Sequence, residues 1–466
     1  MTMRIAAPLM LALLAGCSAG PDYHSASIGL PTGYTARTPI AAADPRWWQG
    51  FGDPLLDRLV EQALAQNLDI AAAAARIDQA RAAARGADAA LLPSVDATGS
   101  VDRNRVSTRT PVGAVATGLG LPRDYTLYQL GGQASWELDL FGGLRRGREA
   151  ARADRDASLA DAAGVRLAVA AETVDAYCQL RGLQAQRDVA ARQLAAEEKL
   201  RDLVRRRFVE GLVAEREYNR VAGEAQGLAA AIAPIDAGIV AQINRLAVLV
   251  GRPAGGDPDG LAVMAAIPRA PDPAGSAIPA DLLRRRPDLA AAERRVAAAD
   301  ARVGAALADH YPRITLRALI GVASLGTGNL FTGGAVQALA GGGFRWRLFD
   351  FGRVDAEVAA ARGREREVLA RYRGTALRAT EEVETALVRL GQARREITLR
   401  EAEVATLMRA REQARIGYAG GVLALIDVLD ADRSMLASED RLVLARAEAA
   451  RASVAAARAL GGGWAA

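Results

Sequence analysis

The sequence predicts an α+β membrane protein in which strand hairpins alternate with very long helices. Three observations lead to this prediction. The chain contains an internal duplication, each copy has a segment of alternating apolar and polar residues, and each copy has about 65 consecutive residues without proline. Alternation with a period of two is typical of strands, and long stretches rich in Ala, Arg, Glu and Leu are typical of helices that pack together. A compact mixed domain is therefore disfavoured.

The duplication appears when the sequence is compared with itself. At an offset of 210 residues Trp136 falls on Trp346, and the match continues without a gap over about 115 residues. Upstream the offset is 219 residues, so Pro93 falls on Pro312. A repeat of this length indicates that one supersecondary unit occurs twice. The nine-residue difference between the two offsets must lie between the prolines and the tryptophans.

Each copy is predicted to begin with a helix, 54–90 or 280–308, that ends before a proline. A hairpin follows, with strands of roughly ten residues, a length that suits tilted membrane strands. We place the second strands at 125–138 and 338–348. The predicted domains are a signal peptide 1–16, an N-terminal tether 17–52, a first repeat 53–251 with its hairpin at 94–141, a linker 252–279, a second repeat 280–461 with its hairpin at 313–351, and a tail 462–466.

The long helices are predicted at 143–208 and 353–418, each roughly 100 Å in length. A glycine turn and a return helix of about 38 residues follow each of them. Helices this long must pack against other long helices, as a coiled coil or a helical barrel. Pro234 lies in the first return helix, and we expect it to bend or break that helix.

The strand count implies an assembly. Two hairpins supply four strands, whereas the smallest closed membrane barrels have about eight. An open sheet edge is not tolerated in lipid, because its backbone N–H and C=O groups would have no partner. Two or three copies must therefore share one barrel, and three copies would give twelve strands.

The N-terminus resembles a lipoprotein export signal. A short basic region at Arg4 and an apolar region precede Leu14-Ala15-Gly16-Cys17, which resembles the bacterial lipobox, so Cys17 would be the acylated mature N-terminus. The alternative is an ordinary cleavage site beside a chance cysteine. By resemblance to bacterial lipoproteins, Ser18 favours the outer membrane. The second cysteine, Cys178, is expected to be a packed helix residue.

Composition excludes several function classes. The net charge of +5 is spread along helices among acidic residues, which disfavours binding of nucleic acid. His24 and His310 are the only histidines and have no nucleophile or metal-ligand cluster near them in the sequence, so we expect neither an enzyme nor a cofactor. After the signal peptide the sequence has no run of 18 uninterrupted apolar residues, so no transmembrane helix is predicted.

Several motifs together resemble the TolC-like outer-membrane factor family, in its lipoprotein branch. They are Cys17–Tyr23, Trp47-Trp48, Phe51–Pro54, Trp136–Gly142, Arg285–Asp288 and Ala459–Trp464. The resemblance implies a homotrimer with a twelve-stranded outer-membrane β-barrel, four strands per chain, continuous with a long periplasmic α-helical barrel. The tether, the linker and the termini would form an equatorial collar. Expected partners are a periplasmic adaptor protein, an inner-membrane pump and outer-membrane lipid.

The same resemblance implies a passive exit duct of a tripartite efflux system for small molecules such as drugs. The alternative is the exit duct of a type I polypeptide secretion system. A purely structural coiled-coil lipoprotein is a second rival, but it would not explain the paired hairpins. Six Met and two His disfavour a dedicated metal relay.

Two sites are predicted near the helix turns. Gly211, Leu212, Gly421 and Val422 are candidates for adaptor contact, and the alternative is that they only end helices. Asp427, Asp430 and Arg433 lie on one helix face shortly after the second turn. The resemblance implies an acidic ring at the tunnel entrance in this segment, with Arg433 as compensation. The alternative is acids that favour a helix N-terminus.

Overall fold

The computed structural model of the chain describes residues 19–20, 22–25, 46–257, 259–271 and 285–462. The signal peptide, Cys17 and Ser18 lie outside these residues, as do most of the predicted tether and parts of the linker and tail. The described residues form two compact units. One contains Asp78–Ala157, Glu293–Arg371 and the first described residues, and the other contains the rest of the described chain.

Eight helices and four strands form the main elements of the described chain, beside short 3-10 turns. The helices are α1 Pro54–Gln66, α2 Leu68–Ala89, α3 Pro111–Gly118, α4 Gly143–Val209, α5 Glu215–Leu249, α6 Pro287–Ala308, α7 Arg353–Ala419 and α8 Leu425–Ala459. The strands are β1 Ser94–Arg105, β2 Asp124–Leu138, β3 Arg313–Ser324 and β4 Val336–Arg345. The long helices α4 and α7 begin at the predicted residues and extend one residue further than expected.

The strands form one antiparallel sheet in the order β1-β2-β3-β4. β1 pairs with β2 from Ser94 opposite Ser135, and β3 pairs with β4 from Arg313 opposite Arg345. Moving the first pair by the sequence offsets of 219 and 210 residues gives the second pair. Both hairpins therefore have the same register, and the duplication holds in three dimensions.

The two hairpins are also fixed to the preceding helices in the same way. The indole Nε1 of Trp136 donates to the carbonyl of Leu91 at 2.9 Å, and that of Trp346 donates to the carbonyl of His310 at 2.9 Å. The nine-residue difference between the copies lies in the hairpin connections, where the first hairpin carries α3. The fourth strand ends at Arg345 and not at Leu348 as expected, because β3 begins opposite Arg345, immediately after Pro312.

The first predicted helix, 54–90, is wrong as a single element. It is divided at Asn67, which is buried between α1 and α2. The side-chain Oδ1 of Asn67 accepts from the backbone N–H of Asp69 at 2.9 Å and so caps α2. Its Nδ2 donates to the carbonyl of Leu249 at 3.0 Å. The backbone N–H of Asn67 donates to the carbonyl of Ala63 at the end of α1, so this one residue bonds to both helices at the break.

The second predicted helix, 280–308, begins at Pro287 among the described residues. Proline is favoured in the first turn of a helix and disfavours helical geometry in the residue before it. That residue is Arg286, whose guanidinium is buried. It donates to the carbonyl of Ala459 at 2.8 Å and contacts Asp288 and Glu382 at 2.8 and 2.6 Å. The Arg-Pro-Asp motif therefore joins the start of α6 to α7 and the end of α8.

Two residues of α4 also hold this unit together. The hydroxyl of Tyr177 donates to Asp53 at 2.6 Å, and burial raises the pKa of Tyr177 to about 12. Arg181 is buried on α4 and donates to the carbonyl of Val263 at 2.7 Å. Cys178 lies between them in the core, as expected, and burial raises the pKa of its thiol to about 12.

Pro234 does not break the return helix, since α5 continues through it. Among the described residues, α5 is also the one helix long and apolar enough, by composition, to cross a bilayer. The sequence predicted no transmembrane helix, because that prediction required an uninterrupted apolar run and charged residues such as Asp236 interrupt this one. Asp236 pairs with Arg187 of α4 at 3.2 Å, so α5 packs along α4. Composition alone is weak support for a membrane span.

Replacement of Asn67 by Ala should lower the free energy of unfolding by roughly 1–3 kcal/mol, because it removes a helix cap and leaves the buried carbonyl of Leu249 unpaired. Thermal unfolding of the purified protein measures the effect. Gln66→Ala is the matched control, since Gln66 is the exposed neighbour. Equal melting temperatures for the two variants would contradict the role of Asn67.

Candidate sites at the helix turns and the N-terminal segment

The two helix turns have equivalent backbone geometry. In the first, the N–H groups of Gly211 and Leu212 bond to the carbonyls of Phe208 and Arg207 at 2.9 and 2.8 Å. In the second, Gly421 and Val422 bond to Tyr418 and Gly417 at 3.0 and 2.9 Å. Gly211 and Gly421 have φ of 71° and 72°, a conformation that favours glycine. Leu212 and Val422 are left with 69% and 83% of their surface exposed.

The helix ends below these turns pack against one another. Leu200, Val204, Val221 and Leu429 form a buried cluster drawn from α4, α5 and α8. The rings of Phe208 and Tyr218 stack with their centroids 5.8 Å apart. The first turn is therefore joined to the start of α8 by an apolar contact.

Charged residues surround Arg433 on α8. Its guanidinium lies 3.3 Å from a carboxylate oxygen of Glu197 on α4, 3.3 Å from Glu224 on α5 and 3.8 Å from Asp430. Arg220 contacts Glu224 at 2.8 Å. Three helices thus share one group of three carboxylates and two guanidinium groups, which we call the Arg433 cluster.

Glu197 is the buried member of the Arg433 cluster. Its side chain is 1% exposed, and neither of its oxygens has a hydrogen-bond partner of good geometry. Burial raises the pKa of Glu197, the nearby Arg433 lowers it, and Glu224 raises it. Desolvation is the largest of these effects, so ionised Glu197 is held at a cost that Arg433 only partly offsets.

The predicted gate residues lie together at the start of α8, and all three are exposed. Asp430 and Arg433 are in contact. Asp427 accepts a hydrogen bond from the backbone N–H of Ala424 at 2.8 Å and so helps to end the turn. Asp432, the residue before Arg433, pairs with Arg411 of α7. Asp427 thus has a hydrogen bond at the start of α8, whereas the side chain of Asp430 is 71% exposed.

A second site holds the described N-terminal residues. The buried guanidinium of Arg146 donates to the carbonyls of Ala19 and Gly20 at 3.2 and 3.1 Å and to Asp22 at 3.0 Å. The N–H of Ala19 donates to the carbonyl of Phe141 at 2.9 Å. We call this group the N-terminal clamp. It ties the chain just after Ser18 to the base of the first hairpin.

Close packing completes the clamp. Gly20 has φ of 85°, and a Cβ added to it would lie 3.0 Å from the Cα of Gly304. Tyr23 packs against Ala153 and Ala298, and its hydroxyl contacts Glu293 at 3.4 Å. Only small residues at 20 and 304 allow the segment to lie this deep.

Sequence reasoning missed Arg146, Glu197 and Glu224. The duplication carried a signal for two of them, since Arg146 falls on Ala356 and Glu197 falls on Leu407 at the 210-residue offset. A charge at a position where the other copy has an apolar residue indicates a specific partner. No group of three or more His, Cys, Asp or Glu residues in the described chain could hold a metal ion.

The outer membrane efflux protein family matches residues 59–252 and 278–462. The chain belongs to this family. Among curated proteins of the family, it is 33% identical to the pyoverdine export outer membrane protein OpmQ of Pseudomonas putida, over 98% of this chain and 96% of that protein. It is 29% identical to nodulation protein T of Rhizobium leguminosarum bv. trifolii, over 99% and 97%.

Solved structures of outer-membrane proteins agree with this assignment. The outer-membrane channel OprN matches with a TM-score of 0.86 and 32% identity, over 96% of this chain and 100% of that chain. The outer membrane protein VceC of Vibrio cholerae matches with a TM-score of 0.79 and 28% identity, over 91% and 100%. The predicted family and α+β channel fold are confirmed, and the protein is an outer-membrane component of an efflux system.

Glu197→Gln tests the electrostatics of the Arg433 cluster. The raised pKa means that the folded chain binds more protons than the unfolded chain between pH 4.5 and that raised value. Stability therefore falls as the pH rises through this window. We expect the variant to melt about 2 °C above the wild type at neutral pH and at the same temperature near pH 4.

Glu198→Gln is the matched control, because Glu198 is the exposed neighbour and pairs with Arg201 at 3.8 Å. We expect this control to melt with the wild type at both pH values. A Glu197→Gln protein that melts below the wild type at neutral pH would show that attraction to Arg433 outweighs desolvation.

Proposed function

We propose that the chain is the lipid-anchored, homotrimeric exit duct of a tripartite efflux pump that passes small molecules such as drugs. The observation that supports this most directly is the four-stranded sheet, whose two edge strands have no partner among the described residues. Such edges require other chains in a membrane. Three copies would close twelve strands, and the long helices of each copy would continue the duct into the periplasm.

A periplasmic adaptor and an inner-membrane pump are the proposed partners. The exposed apolar residues Leu212 and Val422, each held at the outside of a glycine turn, support contact between the turns and the adaptor. A partner that covered these two side chains would bury their apolar surface, which is favourable. The pump, and not this chain, would select the cargo, since the duct contributes walls and a gate.

The proposed gate is a ring formed by Asp427 and Asp430 of three copies, with Arg433 as compensation. The exposed Asp430 side chain supports it, as does the contact of Arg433 with carboxylates of α4 and α5. Carboxylates brought together around one axis repel each other, so cations that bind the ring would block the duct.

The lipid anchor is proposed at Cys17, which lies outside the described residues. The N-terminal clamp supports it, because the clamp begins at Ala19, which is only the second residue after Cys17. Two residues span at most about 7 Å. Acyl chains on Cys17 would therefore be held close to Phe141, at the base of the first hairpin.

Acylation is tested by labelling with a fatty acid in vivo. We expect label in the wild type and none in Cys17→Ala, because no other cysteine is accessible: Cys178 is fully buried. Label that persists on another residue of Cys17→Ala would rule out this anchor.

A deletion strain tests the cargo class and the turns together. We expect greater susceptibility to amphiphilic drugs, restored by the wild type but not by Leu212→Asp with Val422→Asp, since buried carboxylates oppose docking. Glu210→Gln at the first turn is the control and should restore resistance. Unchanged drug susceptibility with loss of a secreted polypeptide would favour the type I secretion alternative.

The gate is tested by conductance of the purified protein in a planar bilayer. Asn replaces Asp in the variant, Asp427→Asn with Asp430→Asn, so that residue 427 can still accept the bond from Ala424. Block by divalent or trivalent cations from the periplasmic side should need roughly tenfold more cation, a loss of about 1.4 kcal/mol. Glu412→Gln removes an exposed acid outside the proposed ring and should leave the block unchanged. Equal block in the double variant would reject the ring.

A further inference from the structure

The two faces of the four-stranded sheet differ in composition. Successive side chains of a strand point to opposite faces, so the registers of the strand pairs show which residues share a face. One face, which we call the apolar face, includes Val95, Val101, Leu130, Trp136, Leu316, Ile320 and Phe344. The opposite, polar face includes Asp96, Gln133, Glu137 and Arg317. The apolar face is therefore the one that would meet lipid in the proposed barrel.

Side-chain contacts between β1 and β2 agree with this division. On the polar face the hydroxyl of Ser100 lies 3.4 Å from the side-chain oxygen of Gln129, the residue opposite it. On the apolar face the guanidinium of Arg103 donates to the hydroxyl of Thr126, again the residue opposite, at 3.1 Å. Arg103 is therefore a charged residue on the face that is otherwise apolar.

Arg103 has two charged neighbours on the same face. Arg105 is two residues further along β1, and Asp124 lies opposite it on β2. The guanidinium of Arg105 and the carboxylate of Asp124 are 3.9 Å apart, and the Arg105 side chain is 72% exposed. Two positive charges therefore face one negative charge, and the contact between Arg105 and Asp124 is loose.

The two arginines lie at the end of the apolar face that is distant from the helices. Trp136 marks the other end, where its indole bonds to the carbonyl of Leu91. Thr126, the partner of Arg103, comes ten residues before Trp136 on β2. Ten residues extend about 33 Å along a strand, which is about 25 Å in height for a strand tilted by about 40°. The apolar band of membrane barrels has this height, so the arginines lie where the hydrocarbon ends and the headgroups begin.

The duplication shows that the fold does not require charge at this level. At the 219-residue offset Arg103 falls on Val322 and Arg105 falls on Ser324. Val322 lies opposite Val336, the counterpart of Thr126 at the 210-residue offset. The second hairpin is thus uncharged at the same level of the same face. Arginines that only one copy carries indicate a partner that this copy alone meets.

The chemistry of the two side chains indicates an anionic partner. An arginine guanidinium matches the oxygens of a phosphate group with two parallel hydrogen bonds. Arg103 and Arg105 are about 7 Å apart along the strand and point to the same side, so both can reach one phosphate. In the outer leaflet of an outer membrane the headgroups are those of a phosphorylated glycolipid. Below the arginines Val101 and Leu130 are 67% and 48% exposed, and acyl chains would cover them.

We propose that Arg103 and Arg105 bind a phosphate group of the outer-leaflet glycolipid, one molecule to each chain, with its acyl chains along the apolar face. This inference rests on the proposed duct, because the hairpin connections face the exterior only if the long helices extend into the periplasm. It adds a lipid site to one hairpin of each chain. Asp124 holds Arg105 loosely in place and leaves its guanidinium open to the phosphate.

Binding of lipid A, the phosphorylated anchor of the glycolipid, tests the proposal in the full-length, lipidated protein. The protein is purified in detergent, exchanged until it carries no glycolipid, and titrated while native mass spectrometry counts the bound molecules. The probes are lipid A with its phosphate groups, lipid A without them, and inorganic phosphate. The test variant is Arg103→Gln with Arg105→Gln.

The matched control is Arg123→Gln with Arg317→Gln, which removes the same charge from the polar face. Arg317 lies opposite Ser135 on that face. Arg123 comes one residue before Asp124, and its carbonyl accepts from the N–H of Val106 at 2.9 Å, so it continues the alternation of β2. The control thus places one lost charge at the level of the site and on the other side of the sheet.

We expect the wild type and the control to bind phosphorylated lipid A equally, and the test variant to bind it at least tenfold more weakly, because charge-assisted hydrogen bonds are lost. Removal of the phosphates should weaken binding to the wild type by a similar factor. Arg103→Lys with Arg105→Lys should fall between, since lysine keeps the charge but not the paired hydrogen bonds. Inorganic phosphate should compete only at far higher concentrations, because it has no acyl chains to bury.

Several results would overturn the inference. Equal binding by the test variant and the wild type, or an equal loss in the control, would show that these two arginines are not the site. Equal binding of lipid A without phosphates would show a purely apolar contact, and competition by inorganic phosphate at equal concentration would show that the glycolipid is not the ligand. The native mass separates the inference from the proposed function. A wild-type trimer that binds no lipid A would overturn the site alone, whereas a monomer would overturn the proposed duct.

Discussion

The structure depends on one constraint, which is that backbone N–H and C=O groups have no water to bond to in lipid. A sheet of four strands with two open edges cannot satisfy it alone. The chain meets this constraint by repetition. A second hairpin in the same register extends the first, and further copies of the chain can extend the sheet in the same way until it closes.

Repetition also shows where the two copies have acquired different roles. Gly304 leaves room for Gly20 in the N-terminal clamp, whereas its counterpart at the 219-residue offset is Arg85. The groove beside α6 thus accepts the N-terminal segment, and the equivalent groove beside α2 has a large side chain instead. Arg146, which holds that segment, has Ala356 as its counterpart. The clamp is specific to one copy because each chain has a single N-terminus to place.

Much of the fold could be predicted from the sequence because its signals are local and repeated. Long proline-free stretches gave the extents of α4 and α7, and prolines marked the ends of α2 and α6. The break at Asn67 could not be predicted in this way, since the reason for it is a carbonyl 182 residues away. The partners of Arg433 were missed for the same reason. Periodicity identifies the face on which Arg433 lies but not which carboxylates of α4 and α5 reach that face.

The Arg433 cluster links the proposed ring to the stability of the helix ends. If α8 moved away from α4 and α5, Glu197 would lose Arg433, the cation that now partly offsets the cost of its burial. An unpaired buried carboxylate is strongly unfavourable. Such a movement of α8 would therefore require either that water reach Glu197 or that a proton neutralise it. The two acids of the ring differ in the same context. Asp427 accepts a hydrogen bond from the backbone N–H of Ala424, whereas Asp430 has a single contact among the described residues, with the guanidinium of Arg433 at 3.8 Å. A cation that binds the ring would therefore meet the freer charge at Asp430, with Asp427 held in place by the turn.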